Sequence, residues 1–376
     1  MGRFDPGRQG IRYGGLQAGG GRVAGRAQQE LPRAIELAAE AQRITADLTR
    51  PSTRIYWTDL VLTAAAVYGG LALAVLAHGT LAWAGGVVCA IALYRGVSFI
   101  HELTHLRPGE TPGFRAGWNA LIGVPFLAPS LLYEGVHNLH HLKQLYGTPE
   151  DPEYMPLSHG RPRVIAGFLA VAALAPLGAF LRFAVMTPLS FLAPGLRREV
   201  IARYSGMVVN PAFRRQDFGA ARRPAWRAQE IGAWLWSWTL VGLVAWGGLA
   251  ARFVFTGVAL MALVAIVNQL RTLVAHGWTS DGRPMSIADQ FLDSINVPPP
   301  GWLPLLWAPV GLRYHALHHL LPAVPYHNLA EAHRRLVLSL PDDSAYHRAQ
   351  HPGLVAPLKA LIARSQASAG RRREPA

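Results

Sequence analysis

Residues 81–105 read LAWAGGVVCAIALYRGVSFIHELTH. The part from 81 to 100 is apolar apart from Arg95 near its end, and as a helix it is long enough to cross roughly 30 Å of hydrocarbon. The last five residues place His101 and His105 four apart. On a helix those two imidazoles share a face, one or two turns beyond the bilayer core. A membrane-length helix that ends in paired metal-ligand side chains puts the chemistry of the chain at a membrane surface.

The surroundings extend this pattern. Residues 60–77 form an apolar run just before, separated by the tight turn His78-Gly79-Thr80, so the two runs make a transmembrane hairpin. A second hairpin is expected from 231–250 and 253–270, with Ala251-Arg252 as its turn. The composition agrees: the chain has 376 residues, 51% apolar and 15% charged, against about 25% charged for a soluble protein. The formal net charge of +14 is concentrated outside the runs. Residues 1–56 hold nine arginines and 194–230 hold eight, whereas each hairpin turn carries at most one cation. The positive-inside rule therefore places both turns outside and the flanking segments in the cytoplasm. No basic stretch is interleaved with aromatics as in nucleic-acid binders. The one cysteine, Cys89, lies in an apolar run, which excludes a disulfide framework, a thiolate zinc site and a protein-bound iron–sulfur cluster.

Two further apolar stretches contain helix breakers. Residues 117–132 hold Pro125 and Pro129 and are read as re-entrant or interfacial. Residues 164–193 hold Pro176, Arg182 and Pro188 and are read as interfacial or as a short hairpin. At the ends, 1–27 is a Gly- and Arg-rich disordered tail and 28–56 contains an interfacial amphipathic helix (apolar at Ala34, Leu37, Ala41, Ile44 and Leu48). The membrane domain runs over 57–340 and a polar tail over 341–376.

Eight of the fifteen histidines fall in three boxes: His101 and His105; His137, His140 and His141; His315, His318 and His319. Imidazole is a usual ligand of iron, zinc or copper, and eight donors in three groups are too many for one ion and suit two. The first box, HELTH, also spells the zinc-protease signature, but that reading leaves the other two boxes unexplained. Glu102 is instead expected to orient a ligand imidazole from behind. His276 follows the last apolar run at the depth of the first box and is expected to be a ninth ligand, with Arg271 marking the headgroup level. His78, His159, His333, His347 and His351 are read as structural or solvated, His333 on the exposed side of a helix capped by Asn328 and Glu331. His327, near the third box, is a candidate supporting residue.

The order of the boxes, their placement after hydrophobic hairpins, the segment GTPEDPE at 147–153 and the segment LLPAVPYHNL at 320–329 resemble the integral-membrane fatty acid desaturases over roughly 55–340, acyl-lipid desaturases in particular. His315 stands where front-end desaturases commonly have Gln. Glu102 departs from the Asp common in the family and is shared with related membrane hydroxylases, which weakens the choice between desaturation and hydroxylation. The resemblance implies an all-α membrane protein, four transmembrane helices in two hairpins under a cytosolic helical cap. It implies a di-iron site on His101, His105, His137, His140, His141, His276, His315, His318 and His319, with Glu102, Asp151 and His327 behind the ligands. Its implied reaction is the O2-dependent oxidation of an unactivated C–H bond in an acyl-chain lipid, which side-chain acids and bases cannot perform alone. The product is an alkene, or an alcohol if the enzyme is a hydroxylase or ketolase of an alkane, sterol-like or carotenoid substrate. Without a Rossmann fingerprint or cluster cysteines, electrons must come from a separate ferredoxin or cytochrome b5-like carrier and its reductase.

Overall fold

The computed structural model describes residues 36–371, which are helical and, among themselves, contain no strand, only isolated bridges. The expected N-terminal tail lies outside them. The principal helices are α1 (Thr53–Leu76), α2 (Gly79–His105), α3 (His137–His140), α4 (Pro162–Ala173), α5 (Pro224–Trp246), α6 (Gly248–Leu273), α7 (His315–Leu320), α8 (Leu329–Ser339) and α9 (Val355–Arg371).

Helices α1 and α2 form the first antiparallel pair, and small residues bring their backbones together. A Cβ on Gly85 would lie 2.6 Å from the Ala74 nitrogen, and one on Gly70 would lie 2.8 Å from the Cys89 nitrogen. The cation in the second run does not stand alone. The Arg95 guanidinium pairs with Asp59 of α1 through Nε at 2.9 Å and through a second contact from Nη2, the usual way a charge is accommodated at membrane depth.

By length and composition, four helical segments among the described residues can cross a membrane: α1, α2, Ala175–Leu192 and α6. The set differs in one member from the sequence reading. The run at 231–250 falls largely in α5, where five tryptophans and the polar first turns with Arg227, Gln229 and Glu230 hold the hydropathy down. The 164–193 stretch forms α4 and then Ala175–Leu192, the latter passing through a π-turn at Arg182–Met186. Arg182 is buried there and donates to Glu230 of α5 at 2.6 Å, which fastens the segment to α5. The turn between α5 and α6 also lies earlier than expected. Gly247 and Gly248 both have positive φ, which glycine adopts without steric penalty, and they make the reversal. Ala251 and Arg252 are inside α6, and Arg252 Nη2 donates to the Val75 carbonyl at the end of α1. Large apolar side chains on α1, α2, α5 and α6 face outward, among them Leu62, Trp83, Trp246 and Phe255. Such a band on a helical bundle is what hydrocarbon covers.

Residues 117–132 do not span. They fold into Phe114–Trp118, a π-turn at Asn119–Gly123 and a short turn at Ser130–Leu132, with Trp118, Ile122 and Leu131 fully buried beneath the cap. Both ends of the described residues are packed against the rest of the fold. Residues 36–44 are helical, and Leu37, Ala41 and Leu48 are buried in one cluster with Leu317, Leu320 and Leu336. The supposed C-terminal tail contains α9, whose hydroxyls satisfy backbone acceptors: Ser365 donates to Gly160 and Ser368 to His159. Small polar side chains look solvated in a sequence, yet they let a helix sit close to a carbonyl-rich loop.

Candidate metal centre

Each histidine reaches the centre through local structure that the sequence dictates. His101 and His105 end α2, where the last carbonyls lack helical partners. Arg115 Nη2 donates to the Leu103 carbonyl and Asn138 Nδ2 to that of Thr104, and the Asn138 bond also docks α3 beside α2. Helix α7 is held by Asn296, whose Oδ1 accepts from the Leu317 nitrogen at 3.0 Å. His276 follows the end of α6 on a segment bridged to Ser294. Trp278, fully buried in a left-handed conformation (φ 59°), closes that segment, a costly backbone state maintained by its packing.

The nine predicted ligands come together in two groups. His101, His105, His137, His141 and His318 form one; His140, His276, His315 and His319 form the other; within each, the donor nitrogens lie within 4.8 Å of one another. The helical period explains the division. In box two the i, i+4 pair serves the first group and His140 the second. In box three the pair His315 and His319 serves the second group and His318 the first. Every HxxHH box thus contributes to both groups, and the stacked rings of His141 and His319, 4.5 Å apart, join them.

Carboxylates stand behind three of the imidazoles, directly or through a tyrosine. His140 Nδ1 faces both oxygens of the fully buried Asp151 at 2.9 and 3.0 Å, and Asp151 also accepts from the nitrogens of Gly147 and Glu153. His137 Nδ1 lies 2.9 Å from Glu153. His276 Nδ1 lies 2.8 Å from the Tyr146 hydroxyl, which itself donates to Asp293; Tyr154 and Thr279 donate to the same carboxylate. An acceptor at Nδ1 leaves Nε2 as a bare lone pair.

The Nε2 atoms of these and the neighbouring imidazoles converge. Nε2 of His141 lies 2.9 Å from Nε2 of His137 and 3.1 Å from that of His318; Nε2 of His315 lies 2.9 Å from that of His276 and 3.2 Å from that of His319. These are separations that two nitrogens bound to one ion at about 2.1 Å can adopt. Nε2 of His101, His105 and His140 is buried with no hydrogen-bond partner. The donor set therefore fits two metal ions.

The electrostatics favour the same state. Burial, reinforced by the neighbouring imidazoles, holds His137, His141, His315, His318 and His319 well below the ordinary histidine range, and His276 likewise. These rings are neutral and able to coordinate. His140 is the exception: burial lowers it, but the charges of Asp151, Glu153 and Asp293 outweigh burial and raise it. Burial pushes Glu153 up to about 7, against the pull of His140 and Tyr133.

The remaining expectations fare unevenly. Asp151 stands behind a histidine. Glu102 does not hydrogen-bond an imidazole: its Oε2 accepts from Tyr56 at 2.6 Å and from the Tyr326 nitrogen at 3.1 Å, and Oε1 is 3.8 Å from His101 Nδ1. It ties the segment after box three to α1 and α2. His327 lies apart from both groups and accepts from the Ser52 nitrogen at the start of α1. His333 is buried, its Nδ1 2.7 Å from the Tyr346 hydroxyl. Asn328 does not cap α8 with its side chain; its amide donates to the Leu48 carbonyl. Arg271 is partly buried, with its Nε and Nη1 enclosed. Sequence reasoning missed Glu153, Asp293, Tyr146 and Tyr154. Glu153 was within the segment at 147–153, but nothing local marks Asp293. A cavity of about 310 Å³ opens beside His105 between Arg50, Arg107, Glu110 and the loop Pro322 to Pro325.

Comparison with known proteins gives two matches. Residues 78–351 match the family described as fatty acid desaturase. A ceramide hydroxylase of Caulobacter vibrioides (strain NA1000 / CB15N) is 52% identical over 344 residues, 91% of this chain and 98% of that protein. No solved structure matches significantly.

Proposed function

The chain belongs to the fatty acid desaturase family, a family of membrane oxidoreductases acting on lipids, and from that premise we propose that it hydroxylates the aliphatic part of a ceramide or a closely related sphingolipid. The observation that carries this reading is the 52% identity to a ceramide hydroxylase across nearly the whole of both chains. Glu102 in the first box, which related membrane hydroxylases also carry, is in keeping with it. The desaturase reading is the second, and it rests on the family match and on the segment after box three.

The nine histidines would hold two irons, which when bound supply the O2-dependent oxidation of an unactivated C–H bond. In the balance, one oxygen atom enters the substrate as a hydroxyl and the other leaves as water, with two electrons and two protons from outside. The protein's own part is positional. Asp151, Glu153 and the Tyr146–Asp293 pair fix the imidazole tautomers, and burial excludes water from the rings. Electrons are supplied by a separate carrier, for which the arginine-rich surface offers an acidic partner a docking face; that face and the histidines lie toward the cytoplasm.

The test is lipid mass spectrometry of a ceramide-producing host expressing the chain, beside His140→Ala. A ceramide one oxygen heavier, absent from the variant, is expected. A product two hydrogens lighter would replace this reading with desaturation.

A further inference from the structure

The eight arginines of residues 194–230 are not all neutralised within the fold. The segment has three carboxylates, and each is taken. Glu199 pairs with Arg203 at 2.6 Å and Asp217 with Arg223 at 3.6 Å. The buried Glu230 meets both Arg182 and Arg197 at 2.6 Å. Arg214 and Arg215 donate to backbone carbonyls. That leaves Arg198, Arg222 and Arg227. All three are exposed, and among the described residues none of them meets a carboxylate.

These three border one cleft. It has a volume of about 740 Å³ and opens between the helix Pro194–Tyr204, the segment at Phe218 and the first turns of α5; Ile201, Phe218 and Ala221 form its apolar wall. The cleft lies just past the ends of two apolar elements. Pro194 follows the membrane-length segment Ala175–Leu192 by two residues, and Leu189, Phe191 and Leu192 at that end are exposed. On α5, Arg227 is followed at four-residue steps by Ile231 and Leu235, both exposed, so the cation and the two apolar side chains share one side of the helix. Cations at the rim, an apolar wall and then outward-facing apolar residues repeat the order of a lipid's head and chains.

We propose that this cleft binds an anionic phospholipid of the leaflet on the arginine-rich side. Arg198, Arg222 and Arg227 hold its phosphate, Ile201 and Phe218 take its glycerol end, and one acyl chain runs along Ile231 and Leu235. Two features select this ligand. Three guanidinium groups without a carboxylate call for an anion, and their forked donors match phosphate oxygens. The apolar wall and its continuation onto outward-facing side chains call for a tail, which neither a soluble phosphate nor an acidic protein surface brings. No histidine of either metal group lines the cleft, so the site is separate from the centre and its occupant is independent of which lipid is oxidised.

The experiment measures lipid binding, apart from turnover. The iron-loaded full chain, stripped of residual lipid in detergent, is titrated with phosphatidylglycerol and with phosphatidylcholine of the same acyl chains, and bound lipid is counted by native mass spectrometry. Wild type is expected to prefer phosphatidylglycerol roughly a hundredfold, about fivefold for each arginine at the head. The triple variant Arg198→Gln, Arg222→Gln, Arg227→Gln is expected to bind the two lipids alike with iron content retained, since all three side chains are exposed. Glycerophosphoglycerol, the same head without chains, is expected not to displace the bound lipid at equal concentration. Equal binding of both lipids by wild type, a measurement that needs no variant, overturns the proposal. So does a triple variant that still prefers phosphatidylglycerol. Displacement by glycerophosphoglycerol at equal concentration would make this a site for soluble phosphate and overturn the lipid assignment. Absence of any lipid preference, with an acidic ferredoxin bound through the same three arginines, would give the face to an electron carrier instead.

Discussion

At the scale of single residues, the carboxylates behind the histidines decide whether the centre holds metal. Asp293 accepts from Tyr146, Tyr154 and Thr279 at once, and through Tyr146 it fixes the proton of His276. Asp293→Asn is expected to weaken metal binding in the four-histidine group about 10- to 100-fold, read as iron retained per chain against a graded chelator. Retention equal to wild type would show that Tyr146 alone sets the tautomer. His333→Ala separates structure from ligation: it removes the bond to Tyr346 and leaves both metal groups intact. A loss of about 1 kcal/mol in stability with unchanged iron is expected, measured by thermal unfolding in detergent beside metal analysis. The histidines themselves were legible because spacings of three and four survive any fold. Asp293 was not, because it lies 17 residues beyond His276 in sequence and reaches it only through a tyrosine from another segment.

At the scale of elements, the α1–α2 pair depends on Gly70 and Gly85, and the two glycines of the GG pair at 85–86 behave oppositely. A Cβ at Gly85 collides with the α1 backbone, whereas one at Gly86 meets nothing within 4 Å. Gly85→Val is expected to force the helices apart at a cost of about 1–3 kcal/mol or more; Gly86→Ala is expected to be near neutral, or slightly stabilising through its helix propensity. Thermal unfolding of the purified proteins checks both, and equal behaviour would mean the close approach does not govern the pair. Hydrophobic length revealed these helices, but the elements that sequence misjudged were those whose partners are distant. The apolar stripe of Leu37 and Ala41 is equally suited to a bilayer or to α7 and α8, and only the tertiary structure chooses. The seryl face of α9 has no apolar signature, although Leu361 packs with Trp278 and Arg364 donates to the Gly277 carbonyl, one residue from His276. Truncation after residue 354 is therefore expected to speed iron loss from the four-histidine group, followed by stopped-flow chelation. An unchanged rate would make α9 a bystander.

For the whole molecule, the fold class was readable from charge and hydropathy, whereas the identity of the fourth apolar segment was not, since tryptophans that suit an interface depress the hydropathy of α5. The arginine asymmetry predicts one sidedness for the entire chain. In a Cys89→Ala background, cysteines at the exposed positions Lys143 and Asp281 should label from the cytoplasmic side, and cysteines at Gly79 and Leu249 from the other. Lys143 and Asp281 on opposite sides would be incompatible with a shared centre.

The division of each box between the two groups also gives the centre an order of completion during synthesis. By residue 141 the ribosome has made four of the five histidines of the first group, and His318 alone is outstanding. The second group then has only His140 and waits for His276, His315 and His319. At that point well over half the protein is unmade, and the second group is complete only near the end of translation. The stacked His141–His319 contact joins the early part of the site to its newest residue, so the two groups come together as one of the last events in the life of the nascent protein.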